Sequence, residues 1–425
     1  MAPGWQRYRF RPSPAANLPA ASAAAAGGGR WKQDRKLRSQ ASFHRASPAP
    51  KGPRFLREQA CSIAGGAGPD NRRDESGGWS SSGLRRNHDP LTVPIDPGLA
   101  ARRSLNAGGL ALLASLLETP ADHAAAVRQI GGCRVVDCGV AASGSDALGL
   151  LLARVAMGGL GEVWLRKTAA DTPLAACWPD CPWPIVEVSS EDPVAACLAA
   201  QYAGWKIAEA GYFAMASGPL RAAIAGEDLF DTIGLRERPA VAVGLLEADG
   251  LPPEAICRSL AERAGVSPES LVLLVAATAS PAGTLQVVAR SLETALHQLH
   301  ERRFDLGRII RGRAAAPLPP VASDSLAAIG RTNDAILYGA SVRLEVDGDD
   351  ASIDEIGPLV VSGSSPDHGR PFAELFAAAG GDFYALDPAL FAPAVVEFFN
   401  RETGRLSRFG RIEPAVVERS FTVSN

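Results

Sequence analysis

The amino-acid sequence predicts a mixed α/β (α+β) protein of two α/β lobes with a ligand cleft between them, preceded by a disordered basic extension. Three observations carry that expectation. Short apolar runs such as VVDCGV at 135–140, AVAVGLL at 240–246 and LVLLVA at 271–276 alternate with stretches of helical period. The composition, 46% apolar and 21% charged over 425 residues, is that of a globular protein with room for two or three domains. Residues 1–90, in contrast, are crowded with Gly, Pro, Ser, Ala and Arg and show little periodic hydrophobicity, so they cannot bury enough surface to fold.

That first stretch holds 16 Lys and Arg against 6 Asp and Glu, which leaves the remainder at −13 within a total of −3. It is read as a disordered extension or a mis-called start, with a targeting or docking tail as the alternative. Arg72-Arg73 and Arg85-Arg86 lack the apolar run that export needs, and Asp70, Asp74 and Glu75 do not suit a transit peptide. No run of about 18 apolar residues occurs, so the expectation is a cytoplasmic protein with no membrane partner. The seven cysteines (Cys61, Cys133, Cys138, Cys177, Cys181, Cys197, Cys257) are odd in number and scattered through apolar segments, which fits reduced thiols.

Along the rest of the chain, Leu105, Leu110, Leu113 and Leu117 give a helix over 99–117 that Pro120 ends. Strands are expected at 134–140, 184–188, 240–246, 271–276, 335–346 and 359–362. Helices are expected at 194–207 and 253–264, and a long amphipathic one at 283–303. The lobes are placed at 91–239 and 240–425, with discontinuous lobes allowed and Pro317, Pro319 and Pro320 as another crossing point.

The strongest arrangement of chemical groups is Arg290 and Glu293, three residues apart and so on one helical face. Their helix is entered through the turn Thr278-Ala-Ser280-Pro-Ala-Gly283 after a buried strand, a place where ligands gather in α/β proteins. The competing reading is an ordinary surface ion pair. Glu293, His297 and Glu301 at four-residue intervals, with His300 beside them, offer a metal reading, but no further ligand pattern completes it. Cys177 and Cys181 have no second pair to form a metal clip. Gly158-Gly159 in AMGGLGEV lacks dinucleotide-loop spacing, and no nucleophile elbow, Walker or zinc-protease motif is present.

Read as whole segments, the chain resembles the methenyltetrahydromethanopterin cyclohydrolase family. The resemblance rests on VVDCGV at 135–140, MGGLGEV at 157–163, ACLAAQYAGWKI at 196–207, FAMASGPLRA at 213–222, LVAATASPAGTLQVVARSLETALHQLHERRFD at 274–305, APLPPVASD at 316–324, AIGRTNDAILYG at 328–339 and DFYALDPALFAPA at 382–394. Departures are Ala216 for Gly, Leu220 for Ala, Ala277 for Pro and His368 for Tyr; none removes an acid, base or cation.

The resemblance implies hydrolysis of a methenyl bridge in a reduced pterin to the N5-formyl compound, in one-carbon metabolism and formaldehyde oxidation. It implies no metal or organic cofactor, no nucleic-acid partner and a homotrimer. Glu293 is then the residue that activates water, and Arg290 the neighbour that holds and tunes it. Gly158, Gly159, Ser217, Gly218, Pro219, Thr278, Ser280, Gly283, Asn333 and Asp334 would line the pterin cleft as small-residue turns, each with a plain turn or capping role as its alternative. A formyltransferase, a non-catalytic carrier-binding subunit and an RNA-binding role for the basic arm are the competing functions.

Overall fold

The computed structural model describes residues 104–381 and 383–422. The basic extension, Cys61, the expected helix start at 99–103 and the first residue of the 382–394 segment lie outside them.

Twelve strands form two six-stranded sheets. They are β1 (Ala126–Ile130), β2 (Cys133–Asp137), β3 (Gly161–Arg166), β4 (Ile185–Ser190), β5 (Trp205–Glu209), β6 (Tyr212–Ser217), β7 (Ala242–Glu247), β8 (Leu271–Ala276), β9 (Ile309–Pro317), β10 (Ser341–Val346), β11 (Val395–Asn400) and β12 (Leu406–Gly410). The first sheet runs β1-β2-β8-β7-β6-β5 and the second β12-β11-β10-β9-β4-β3. Each sheet draws strands from both sides of residue 239, so the expected lobe boundary at 239/240 is not where the sheets divide.

In the first sheet β2, β8 and β7 are parallel, flanked by the antiparallel β1, β6 and β5. Strand alternation sends Val135, Leu246 and Leu273 to one apolar cluster and Val136, Leu245 and Leu274 to another. Ile256, Cys257, Leu260 and Ala261 of the helix Glu254–Ala264 cover the first face; Leu148 and Leu152 of the helix Asp146–Ala156 cover the second. Burial on both faces is why LVLLVA is continuously apolar. The second sheet packs Val188, Ala314, Val342 and Phe398 with Leu292, Leu296 and Leu299.

Several expected elements take another form. The long helix at 283–303 is two, Pro281–Val288 and Ser291–Glu301, because the backbone flattens at Ala289 (ψ −3°) and Arg290 (ψ 5°). The helix expected over 194–207 is a π-helix, Val194–Gln201, after which the chain turns into β5. Residues 335–337 finish the helix Ser325–Leu337, capped by Asp324, and β10 starts only at Ser341, past the break at Gly339. Residues 359–362 fall at the 3₁₀ turns Gly357–Leu359 and Ser362–Ser364, where Pro358 and two glycines leave no strand to pair. The first helix is interrupted at Leu113, giving Leu105–Leu112 and Ala114–Glu118. Among the described residues no helix is long and apolar enough to cross a membrane.

The entry to the broken helix pair is fixed by small residues. Ser280 Oγ accepts from the Gly283 N–H at 3.0 Å and donates to the Ala277 carbonyl at 2.7 Å. A Cβ on Gly283 would stand 1.9 Å from the Ala277 carbonyl oxygen. Gly283→Ala is therefore expected to destabilise the protein by about 1–3 kcal/mol through overpacking. A lower urea midpoint at unchanged slope is the expected readout; an unchanged midpoint would mean that the turn shifts freely.

Candidate active site

The parallel strands of the first sheet end together, and their carboxyl ends carry the polar groups of the site. At the end of β2, Asp137 is buried, and its carboxylate accepts the backbone N–H groups of Gly139, Val140, Ala141 and Ala142 at 2.8–3.1 Å. Burial pushes this carboxyl up, but the four hydrogen bonds outweigh it and hold the group below the ordinary range. Its charge is thus committed to shaping the 139–142 loop.

At the end of β7, Glu247 joins two of the expected site residues. One of its carboxylate oxygens accepts from the Thr278 hydroxyl, and the other lies 3.6 Å from Nη1 of Arg290. Arg290 also donates through Nη2 to Gln286 Oε1 at 3.1 Å, one turn back on the preceding helix. Because the chain leaves α-helical geometry at Arg290, this residue caps the helix that carries Glu293 and turns towards Glu247.

Arg290 and Glu293 are both buried, 7% and 5% exposed, which rules out the ordinary surface-pair reading. No described side chain hydrogen-bonds the Glu293 carboxyl. Burial pushes its pKa up to about 7, against the pull first of Arg290 and then of Arg221. The π-helix packs alongside: Gln201 Nε2 donates to the Ala289 carbonyl at 3.2 Å, right at the helix break. π-Helical turns are rare and recur at functional sites.

Buried polar atoms without a partner gather on the same segments. Gln201 Oε1, Ser217 Oγ, Arg221 Nε, Gln286 Nε2, Arg290 Nε and Ser291 Oγ are all in this state. Such groups are costly and call for a specific explanation, a bond to a bound molecule being one. A cavity of about 420 Å³ opens further along the Glu293 helix, walled by Tyr202, Trp205, Lys206, Glu227, His297 and His300. Tyr202 stacks on His297, one turn beyond Glu293, with ring centroids 4.5 Å apart.

The other expected residues divide. Ser217 and Gly218 end β6 beside the π-helix, where the Gly218 N–H donates to the Ala200 carbonyl at 2.8 Å. The Pro219 carbonyl accepts from Asn106 at 2.9 Å and supports the first helix. Gly158 and Gly159 have left-handed backbones (φ 63° and 73°) and form a turn so close to the first helix that a Cβ on Gly108 would meet the Gly158 oxygen at 2.3 Å.

Asn333 and Asp334 lie inside the helix Ser325–Leu337 rather than in a turn. Asn333 bonds back to the Ile329 carbonyl, and the buried Asp334 accepts from the Phe372 N–H at 2.8 Å, holding the start of the helix Phe372–Ala378. Burial pushes Asp334 up to about 7. Among the described residues no three His, Cys, Asp or Glu side chains converge as a metal site. Cys177 and Cys181 are separate free thiols. Sequence reasoning singled out none of Glu247, Arg221, Tyr202 and Gln201; the last three lie inside the family-like segments 196–207 and 213–222, but their part in the site enters through packing.

Fold and site together define an α/β enzyme whose buried glutamate sits on a helix capped by a buried arginine, which is paired in turn with a carboxylate at the end of a parallel strand. The chain belongs to the cyclohydrolase (MCH) family, whose model matches residues 104–421. It is 46% identical over 295 residues to a methenyltetrahydromethanopterin cyclohydrolase of Methylobacterium organophilum, covering 68% of this chain and 89% of the relative. Relatives of the same name in Rhodopirellula baltica (46% over 297 residues; 69% and 87% covered) and Methanocella arvoryzae (41% over 288 residues; 68% and 88% covered) span bacterial and archaeal sources.

The position of Glu293 has a thermodynamic signature. With a folded pKa near 7 against an ordinary 4.5, its contribution to stability is fully present below 4.5 and is lost as pH rises through 7. Glu293→Gln cannot ionise, so it should gain in Tm over the wild type as pH rises from about 5 to about 8, by up to a few kcal/mol in stability. An equal Tm difference at both pH values would sink this assignment.

Proposed function

We propose that this chain hydrolyses the methenyl bridge of 5,10-methenyl-tetrahydromethanopterin, or of its dephospho form, to the N5-formyl compound. The observation that carries the reading is the Glu293 carboxyl, buried, without a hydrogen-bond partner among the described residues, and held near neutrality by burial against the pull of Arg290 and Arg221.

The substrate carbon bridges two nitrogens as a cationic amidinium, so it is already an electrophile and needs no Lewis acid or redox group. Water adds through its oxygen while Glu293 takes one of its protons. The resulting carbinol collapses: its C–N10 bond breaks, N10 picks up a proton, and the former bridge carbon stays on N5 as the formyl group. One water is consumed and one proton is released.

An ionised Glu293 also attracts the cation and holds the reacting carbon near the water. Burial alone would leave the carboxyl mostly neutral, and a neutral acid cannot accept the proton. Arg290, held by Glu247 and Gln286, counters that effect. The Glu247–Thr278 contact ties this arginine to the 278–283 turn, so the same turn that starts the helix pair also sets the charge beside the base.

The reading carries with it a small-molecule pterin as the partner, no metal or organic cofactor, a place in one-carbon metabolism in the cytoplasm, and a homotrimer, the last on family resemblance alone. The family membership supports the substrate class, and Glu293 and Arg290 support the chemistry.

The test is the decay of the methenyl-tetrahydromethanopterin absorbance with the full-length chain. The wild type should accelerate hydrolysis and Glu293→Gln should lose at least about a hundredfold. The wild-type kcat/KM should fall as pH drops below about 7, because protonation removes the acceptor. A folded Glu293→Gln enzyme with wild-type rates would overturn the mechanism, and an inactive wild type would overturn the substrate.

A further inference from the structure

Among the described residues Arg221 is the largest side chain that is fully buried, at 1% exposure. It stands on the short helix Leu220–Ile224. Nη1 donates to the Leu198 carbonyl of the π-helix at 2.7 Å, and Nη2 pairs with Glu227 at 2.5 Å. The guanidinium lies over the rings of Tyr202 and Phe230, at 4.9 and 5.3 Å from their centroids. Among the described residues its Nε has no acceptor.

These contacts place the charge in the layer that faces Glu293. Leu198 belongs to the π-helix that packs on the Glu293 helix, and Tyr202, its C-cap, stacks on His297 one turn past Glu293. Burying a guanidinium is expensive even when it is paired, and an apolar side chain would fill the same volume at lower cost. A residue kept only to anchor the 225–233 segment would not need its charge out of water.

We propose that Arg221 is a positioning residue of the active site, supplying from the π-helix side a second fixed positive charge opposite Glu293, with Glu227 governing how much of that charge Glu293 feels. This rests on the reading of Glu293 as the base. The groups facing Glu293 are consistent with it. From its own helix cap comes Arg290, which Glu247 at the end of β7 pairs with; from the π-helix come Cys197 and Tyr202, whose own ionisation burial, and then the Glu293 charge, pushes up. Further along the same helix Glu301 lies beside His297, which burial lowers to about 4 and so leaves neutral near pH 7. Arg290 and Arg221 are the two groups that pull Glu293 down against its burial.

The experiment follows the Glu293 carboxyl directly in the full-length chain. Its C=O stretch is assigned in infrared difference spectra by its loss in Glu293→Gln and titrated in Arg221→Gln and Glu227→Gln. Arg221→Gln should raise the midpoint by about one pH unit, as loss of a nearby opposite charge does, and Glu227→Gln should lower it by about half a unit. The acid limb of kcat/KM should move with each.

Opposite shifts are what a purely structural role would not produce. The Glu227 side chain is 30% exposed, so Glu227→Gln carries the test alone if Arg221→Gln does not fold. Midpoints that stay put, or that move in the same direction, overturn the proposal. If the carboxyl shifts as stated while the wild type leaves the methenyl carrier intact, Arg221 keeps its role and the hydrolase reading falls.

Discussion

The proposed active site is organised around the desolvation of one carboxyl group. Taking Glu293 out of water favours its neutral form, and the two guanidiniums that oppose this are themselves costly to bury. Each is therefore tied down: Arg290 by Glu247 and Gln286, Arg221 by Glu227 and the Leu198 carbonyl. A requirement at a single pair of oxygens thus recruits the end of β7, the helix Pro281–Val288, the π-helix and the short helix after β6.

The break at Ala289-Arg290 is what makes this geometry possible. In an unbroken helix Arg290 and Glu293 would lie along one face and neutralise each other. With the break, Arg290 turns to a carboxylate on the first sheet, while Leu292, Leu296 and Leu299 keep the Glu293 helix seated on the second. The preceding helix works the same way, giving Ala282 to one core and Leu285 and Val288 to the other. One discontinuity lets a helix pair serve both sheets.

How much of this was legible in the sequence depends on range. β7 and β8 could be read because burial on both faces imposes an unmistakable apolar run. β9 could not: IIRGRAAAP has an arginine-rich, alanine-rich pattern with little strand preference, and it is extended because β4 and β10 pair with it on either side. The 283–303 pattern is helical throughout, and nothing local announces that tertiary contacts break it at Arg290. For the site, Arg290 and Glu293 stood out as an acid and a base on one helix, and eight collinear segments carried the family. Glu247 and Arg221 sit more than 40 residues upstream, the latter inside a family-like segment that does not mark it out, so only folding reveals whose charges they balance. Asn333 and Asp334 read as a turn because Asn-Asp suits one by composition, whereas both stand in the helix Ser325–Leu337, which is set by its apolar face.

The alternation of strands between the two sheets also bears on how the chain can be made. Strand β2 aligns Arg134 with Val272 of β8, so an inner edge of the first sheet stays unpaired until the second sheet's β3 and β4 and the whole π-helix segment have been synthesised. The second sheet in turn has β4 waiting for β9, and β9 waiting for β10, before the two halves of the sheet are joined. Neither half can finish early on the ribosome, and loop-closure entropy over such separations slows both. The nascent chain therefore carries exposed apolar strands such as VVDCGV until β8 has been made, and for that interval it presents the kind of surface that chaperones shield.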